Sequence, residues 1–298
     1  MSHVDINKNI PSNPQKVEMI GYDCGWGSND HTCEDGADAA PVERLLYRLR
    51  HHGFDPYARG TLGIKFMAKH ADVSGRDKTL PFVVEAARRL CNHVSLAVSK
   101  GHIPVIFGGD HTSAIGTWAG LGAALNASGN IGLVWISPHS GLGDDNSWWH
   151  RQALAVLLGH GAEELAHVGG KTASLAGKHI SLIGPAGLGS AEEKLIRDHG
   201  VTLYTADDIK SRGFDAIYAE AIDRATNGTA GFGLSIDLTA LSSDRTGLTL
   251  DDVLPIIRGT AHQTGFRALE IAEFSPSHDK NTALAQIEGL VDHVFAKT

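Results

Sequence analysis

Seven short apolar runs, at residues 17–22, 103–107, 131–136, 180–183, 201–204, 232–236 and 268–272, constrain this chain most strongly. Between them the apolar residues recur at helical spacing. The longest such stretch is 79–100, where Val83, Val84, Ala87, Leu90, Val94 and Ala97 form one stripe. Residues 41–51, 112–125, 152–159, 191–199, 213–225 and 282–295 also read as helices. Strands that alternate with helices need crossover connections, so the expected fold is α/β with a mostly parallel sheet flanked by helices. No Pro/Ser-rich linker, low-complexity tract or internal repeat divides the 298 residues, and one domain is the simplest organisation. It spans 17–298 behind a polar, flexible N-terminal arm at 1–16.

Composition removes several classes of function. A net charge of −8 argues against sequence-independent nucleic-acid binding, which needs a basic face. The apolar runs are too short to span a bilayer, and residues 1–16 lack the apolar stretch of a signal peptide, so no membrane role is expected. Three cysteines without paired spacing read as reduced thiols in a cytoplasmic protein.

Chemistry-bearing residues gather where strands end. Gly108-Gly109-Asp110-His111 follows one apolar run and Ser137-Pro138-His139-Ser140-Gly141 the next; Ser235-Ile236-Asp237-Leu238-Thr239 closes a third. In a parallel sheet such carboxyl ends converge on one crevice. His111, His139 and Asp237 would give two imidazoles and a carboxylate, a set able to hold one divalent ion such as manganese, nickel, zinc or iron. The alternative is a polar network with no metal. Asp144 and Asp145 either fold back as an extra ligand or form a solvated loop, and the solvated loop is the reading favoured. The N-terminal loop, with Asp23, Asp30, His31, Cys33, Glu34 and Asp35, is polar enough to touch a cationic ligand, but reads first as self-capped surface. Asp110 reads as a structural holder of His111 or of backbone amides. Trp148 and Trp149 either wall a pocket or pack their loop.

These segments, together with Ala272-Glu273-Phe274-Ser275-Pro276 and the following Asp279 and Thr282, fall in the order and spacing of the ureohydrolase family. That family includes arginase, agmatinase, guanidinobutyrase and formimidoylglutamase, and the resemblance runs from about Met19 to the C-terminal helix. It implies a single three-layer α/β domain and a trimeric or hexameric assembly. It also implies two manganese ions whose bridging hydroxide attacks a guanidino or formimino carbon. Six family positions supply ligands. This chain resembles the family at His111, His139 and Asp237, but has Ser137, Gly141 and Thr239 where the family has aspartate. Two neighbouring dications repel each other and need anionic ligands around them, so an intact binuclear site is not expected.

The resemblance also assigns Glu273 to pairing with a substrate guanidinium and His150 to proton shuttling. The family's Gly-Leu-Arg-Asp-x-Asp segment reads Gly184-Pro185-Ala186-Gly187-Leu188-Gly189, without the acid expected to meet an α-amino group. Glu192, Trp148 and Asn146 are the remaining candidates for contact with a small guanidino or amidino ligand. The chain is therefore expected to be a ureohydrolase-family protein with a degraded metal site, acting as a ligand-binding or regulatory subunit. It would work in a homo-oligomer or beside an active paralogue. The alternative is a mononuclear metal-dependent hydrolase of a guanidino, amidino or formimino C–N bond.

Overall fold

The computed structural model describes residues 14–67, 73–170, 174–242 and 244–297. Eight strands form one sheet: β1 (Lys16–Gly21), β2 (Asp55–Thr61), β3 (Ile103–Phe107), β4 (Asn130–Ile136), β5 (Ile180–Ile183), β6 (Thr202–Tyr204), β7 (Thr229–Asp237) and β8 (Phe266–Ala272). Their order is β2-β1-β3-β8-β7-β4-β5-β6, and every neighbouring pair is parallel. Seven of the eight are the apolar runs. The eighth, β2, has no apolar pattern because it is an edge strand with most of its residues exposed. An edge strand also tolerates Pro56, since one row of its backbone groups faces no neighbour.

Period-2 alternation in the strands feeds two separate cores. Leu133 and Trp135 of β4 point into one, Val134 and Ile136 into the other. The first core is closed by helices Arg76–Ser99, Ser113–Leu125, Ala153–Leu157 and Ser190–His199. The second is closed by Val42–His51, Phe214–Thr226, Leu250–Ile257 and Pro276–Phe295. Helix, sheet and helix make the three layers. The helix Ala206–Arg212 carries no apolar stripe, whereas Leu250, Val253, Leu254 and Ile257 form one along Leu250–Ile257. Both start at a threonine that exchanges hydrogen bonds with an aspartate three residues on, Thr205 with Asp208 and Thr249 with Asp252.

Residues 1–13 of the arm, and the side chain of Asp279, lie outside the described part; Lys16 already belongs to β1. Among the described residues no helix is long and apolar enough to cross a membrane. All three cysteines are free and buried. The topology places β3, β8, β7 and β4 side by side. Their carboxyl ends carry His111, Glu273, Asp237 and His139, so residues far apart in sequence share one crest of the sheet.

Candidate active site

The chain leaves β3 through Gly108 (φ +87°) and Gly109 (φ +67°), left-handed conformations that glycine adopts without strain. A Cβ on Gly109 would lie 2.3 Å from the Tyr22 ring. This turn delivers Asp110 and His111. Asp110 accepts hydrogen bonds from the Gly27 amide (2.7 Å), the Thr112 amide (3.0 Å) and the Thr112 hydroxyl. It is a backbone holder, and it pins the 24–40 loop over the crest.

His111 is buried and stacks on Trp135, with ring centroids 4.3 Å apart. Below it the hydroxyls of Ser113 and Ser235 both donate to the buried Glu270 carboxylate, Ser235 at 2.5 Å. His111 Nε2 lies 3.1 Å from the Ser235 hydroxyl, and which of the two donates is set by the imidazole tautomer. Nδ1 of His111 faces Oδ2 of Asp237 at 3.7 Å. Burial drives the imidazole pKa down to about 3, helped by His150. Burial also pushes Glu270 up to about 7 against the pull of its serine donors.

Asp237, at the end of β7, is buried and crowded with donors. Its Oδ1 accepts from the Thr239 amide (2.8 Å) and the Thr239 hydroxyl (2.6 Å). Its Oδ2 accepts from the Ser137 hydroxyl (2.9 Å). Ser137 and Thr239, two of the three positions at which the resemblance expects aspartate, therefore act as donors to Asp237. The third, Gly141, has φ +69°, and a Cβ there would meet Leu154 Cβ at 3.0 Å and Trp135 Cζ2 at 3.2 Å. That direction leads into the packed first core.

His139 is half-buried, and its Nδ1 lies 3.2 Å from Nη1 of Arg151, which donates to it. Burial first, then the Arg151 charge, lowers its pKa to about 4. His150 is fixed by an Nδ1 hydrogen bond of 2.8 Å to the Gly27 carbonyl. Burial lowers its pKa while Asp110 opposes the shift.

Glu273 has φ +63°, the one positive φ among described non-glycine residues. Its amide donates to the Gly109 carbonyl (2.9 Å). Its Oε1 accepts from the His111 amide (2.8 Å), and its Oε2 accepts from the Cys33 thiol at 3.7 Å. Burial, then the charges of Asp237 and Asp110, push its carboxyl well above the ordinary range. A left-handed glutamate costs about 1 kcal/mol or more, and such strain clusters at functional sites. Glu273 borders a cavity of ≈ 380 Å³ together with Asp30, Cys33, Thr239, Arg245 and Gln286.

The profile of the arginase family matches residues 16–294. The chain belongs to the arginase family. An arginase from Brevibacillus brevis is 29% identical over 262 residues, covering 86% of this chain and 85% of that one. The arginase structure from Bacillus caldovelox superposes with a TM-score of 0.83 at 25% identity, covering 95% of this chain and 99% of its own. A formiminoglutamase variant from Trypanosoma cruzi with Mn2+ shares the fold, with a TM-score of 0.67 at 15% identity over 98% of this chain and 97% of its own.

The donor set here does not fit a family-type pair of bridged dications. One carboxylate remains among the six positions, both its oxygens already accept protein donors, and a guanidinium occupies His139 Nδ1. Among the described residues no three His, Cys, Asp or Glu side chains converge on a position able to hold a metal ion. The structure brings His111 and Asp237 together but turns His139 toward Arg151. The other sequence-derived candidates are spent locally. Glu192 accepts from the Gly189 amide (2.7 Å) and the Ser140 hydroxyl, capping the helix Ser190–His199. Asn146 is exposed and donates its amide to Asp144 (3.1 Å), so the 144–147 segment is a self-bonded, solvated turn.

Trp148 is half-buried just ahead of the short helix Trp149–Gln152. Trp149 packs the loop: its Nε1 donates to the Arg76 carbonyl and the Arg76 guanidinium lies 3.8 Å from its ring centroid. The expectation that 24–40 is a self-capped surface loop is half the picture. Asp30 does cap Thr32, but Asp30 and Cys33 also border the cavity. Sequence reading named Cys33 only as part of that loop, and missed Arg151, Arg245 and the Ser235–Glu270 relay. The signal available for Glu270 was a lone acid inside the apolar run 268–272, a position where burial demands hydroxyl partners.

Proposed function

We propose that this arginase-family chain is impaired in binuclear manganese chemistry and works as a ligand-binding or regulatory member of the family. The observation that carries this is the Asp237 carboxylate, whose donors are Ser137 and Thr239 at two former ligand positions. The ligand would be a small cationic guanidino or amidino compound. Its hydrogen-bond donors would meet Glu273, the strained residue at the cavity, with His150 as the nearby proton carrier. Assembly would follow the resemblance, as a homo-oligomer or with an active paralogue, and the size of the purified particle in solution checks it.

The test is metal content by elemental analysis after incubation with manganese, combined with urea release from guanidino substrates. Less than one manganese per chain and no urea supports the reading. Two manganese per chain with sustained urea release overturns it.

A second reading keeps one metal and a hydrolase. It is favoured by His111 Nδ1 and Asp237 Oδ2 facing each other at 3.7 Å. There a single ion could be held between the two atoms if Ser137 turned away, and a bound ion would activate water. This reading requires that any hydrolysis disappear in His111→Ala and in Asp237→Ala; activity unchanged in both variants would remove it.

A further inference from the structure

Far from the crest, His160 and His199 meet edge to face, with ring centroids 5.0 Å apart and planes at 90°. Their Nε2 atoms are 2.8 Å apart. Two nitrogens at that distance share one proton, so one ring presents a lone pair and the other an N–H. Among the described residues no hydrogen bond or ion pair joins an acid to either ring, and the neighbouring Asp198 carboxylate is paired with Lys194. The two backbones are held independently. His160 donates its amide to the Ala155 carbonyl (2.9 Å), and His199 ends the helix Ser190–His199. His160 is exposed and His199 half-buried, so the pair opens to solvent. Burial and the adjacent His160 lower the His199 pKa, which favours the neutral imidazole a metal requires.

We infer that His160 and His199 form a surface site for a divalent transition ion of the imidazole-binding class, zinc, nickel or copper. The ion replaces the shared proton. At metal–nitrogen distances of about 2.0–2.1 Å and angles near 90–110°, the two nitrogens would stand roughly 2.8–3.4 Å apart. The observed separation already falls in that range, but the nitrogens point nearly head-on, so each ring must swing by roughly 35–45° to aim its lone pair at a shared ion, a rotation open to the exposed His160. Water completes the coordination, and the helix C-terminus under His199 favours positive charge.

This inference stands apart from the crest and is tested separately from it. The full chain is stripped with chelator, dialysed, and titrated with Zn2+ alone, then with Ni2+ alone, by calorimetry at pH 7.5. One equivalent is expected to bind in the wild type. That equivalent is lost in His160→Ala and in His199→Ala and is retained in His111→Ala. Because His160 is exposed, its alanine variant should unfold at the wild-type midpoint, which separates loss of the site from loss of the fold. The proposal is overturned if the wild type takes up neither ion, or if both surface variants still bind as the wild type does. Loss in His111→Ala alone would also overturn it and would assign the ion to the crest.

Discussion

Replacing Ser137 and Thr239 together by aspartate tests how the Asp237 carboxylate is held. Two side-chain donors to a buried charge disappear, at 2.9 and 2.6 Å. Hydrogen bonds to charged groups contribute about 1.5–3 kcal/mol each, so the lost pair costs about 3–6 kcal/mol. Two new carboxylates beside the old one add repulsion, part of which protonation relieves. Without metal the double variant is therefore expected to be at least about 3 kcal/mol less stable than the wild type in urea unfolding.

Manganese is expected to offset part of this loss. The wild-type midpoint should not move with added Mn2+, whereas the double variant should recover as the ion binds its new acids. Linkage gives about 2.7 kcal/mol at a hundredfold excess over Kd. If the metal-free double variant unfolds within about 0.5 kcal/mol of the wild type, a scatter ordinary for surface changes, the hydroxyls do not hold Asp237 and the argument fails. If it is destabilised but Mn2+ brings no recovery, the crest has lost more than its acids.

Two other predictions concern neighbouring positions. Adding Gly141→Asp to the double variant should lower stability by a further ~2–4 kcal/mol, from left-handed strain and overpacking against Leu154 and Trp135. It should bring no extra Mn2+ affinity in calorimetry; a gain in affinity without loss of stability would contradict the geometry. Glu270→Gln should change the pH dependence of stability. The folded pKa of Glu270 is raised to about 7 from 4.5. As pH rises from 4.5 to 7 the unfolded chain loses this proton first, so the wild type loses stability across that window and none further above it. The glutamine variant lacks this loss. Its stability relative to the wild type should climb by up to about 3 kcal/mol between pH 4.5 and 7, and parallel unfolding curves in urea would refute the assignment.

The sheet was legible wherever a strand was apolar on both faces, because helices cover both sides and the sequence must show it. β2 was not, since an exposed edge strand with Pro56 and Gly60 satisfies no burial pattern. The helices Ala206–Arg212 and Leu250–Ile257 were not read from the sequence, although the Thr205–Asp208 and Thr249–Asp252 capping pairs mark where each begins. At the crest, the positions of His111 and Asp237 followed from strand ends alone. What Ser137, Thr239 and His139 do did not. A hydroxyl can donate or accept, and an imidazole can face a metal or a guanidinium. The choice depends on Arg151 and on donors brought in by other strands.

The order of the sheet has a consequence for how the molecule comes apart. β3 is the innermost strand of the amino-terminal segment, and its partner β8 arrives more than 150 residues later, pairing Val105 with Leu269 and Phe107 with Ile271. Closing so long a loop is entropically late and slow. The seam is finished by two bonds that cross it at the crest, the Glu273 amide to the Gly109 carbonyl and the His111 amide to the Glu273 carboxylate. A molecule seated against Glu273 would therefore act as a latch on this junction. Hydrogen exchange would register it as slowed exchange at the amides of 105–111 and 269–273, with the outer strands β5 and β6 unchanged.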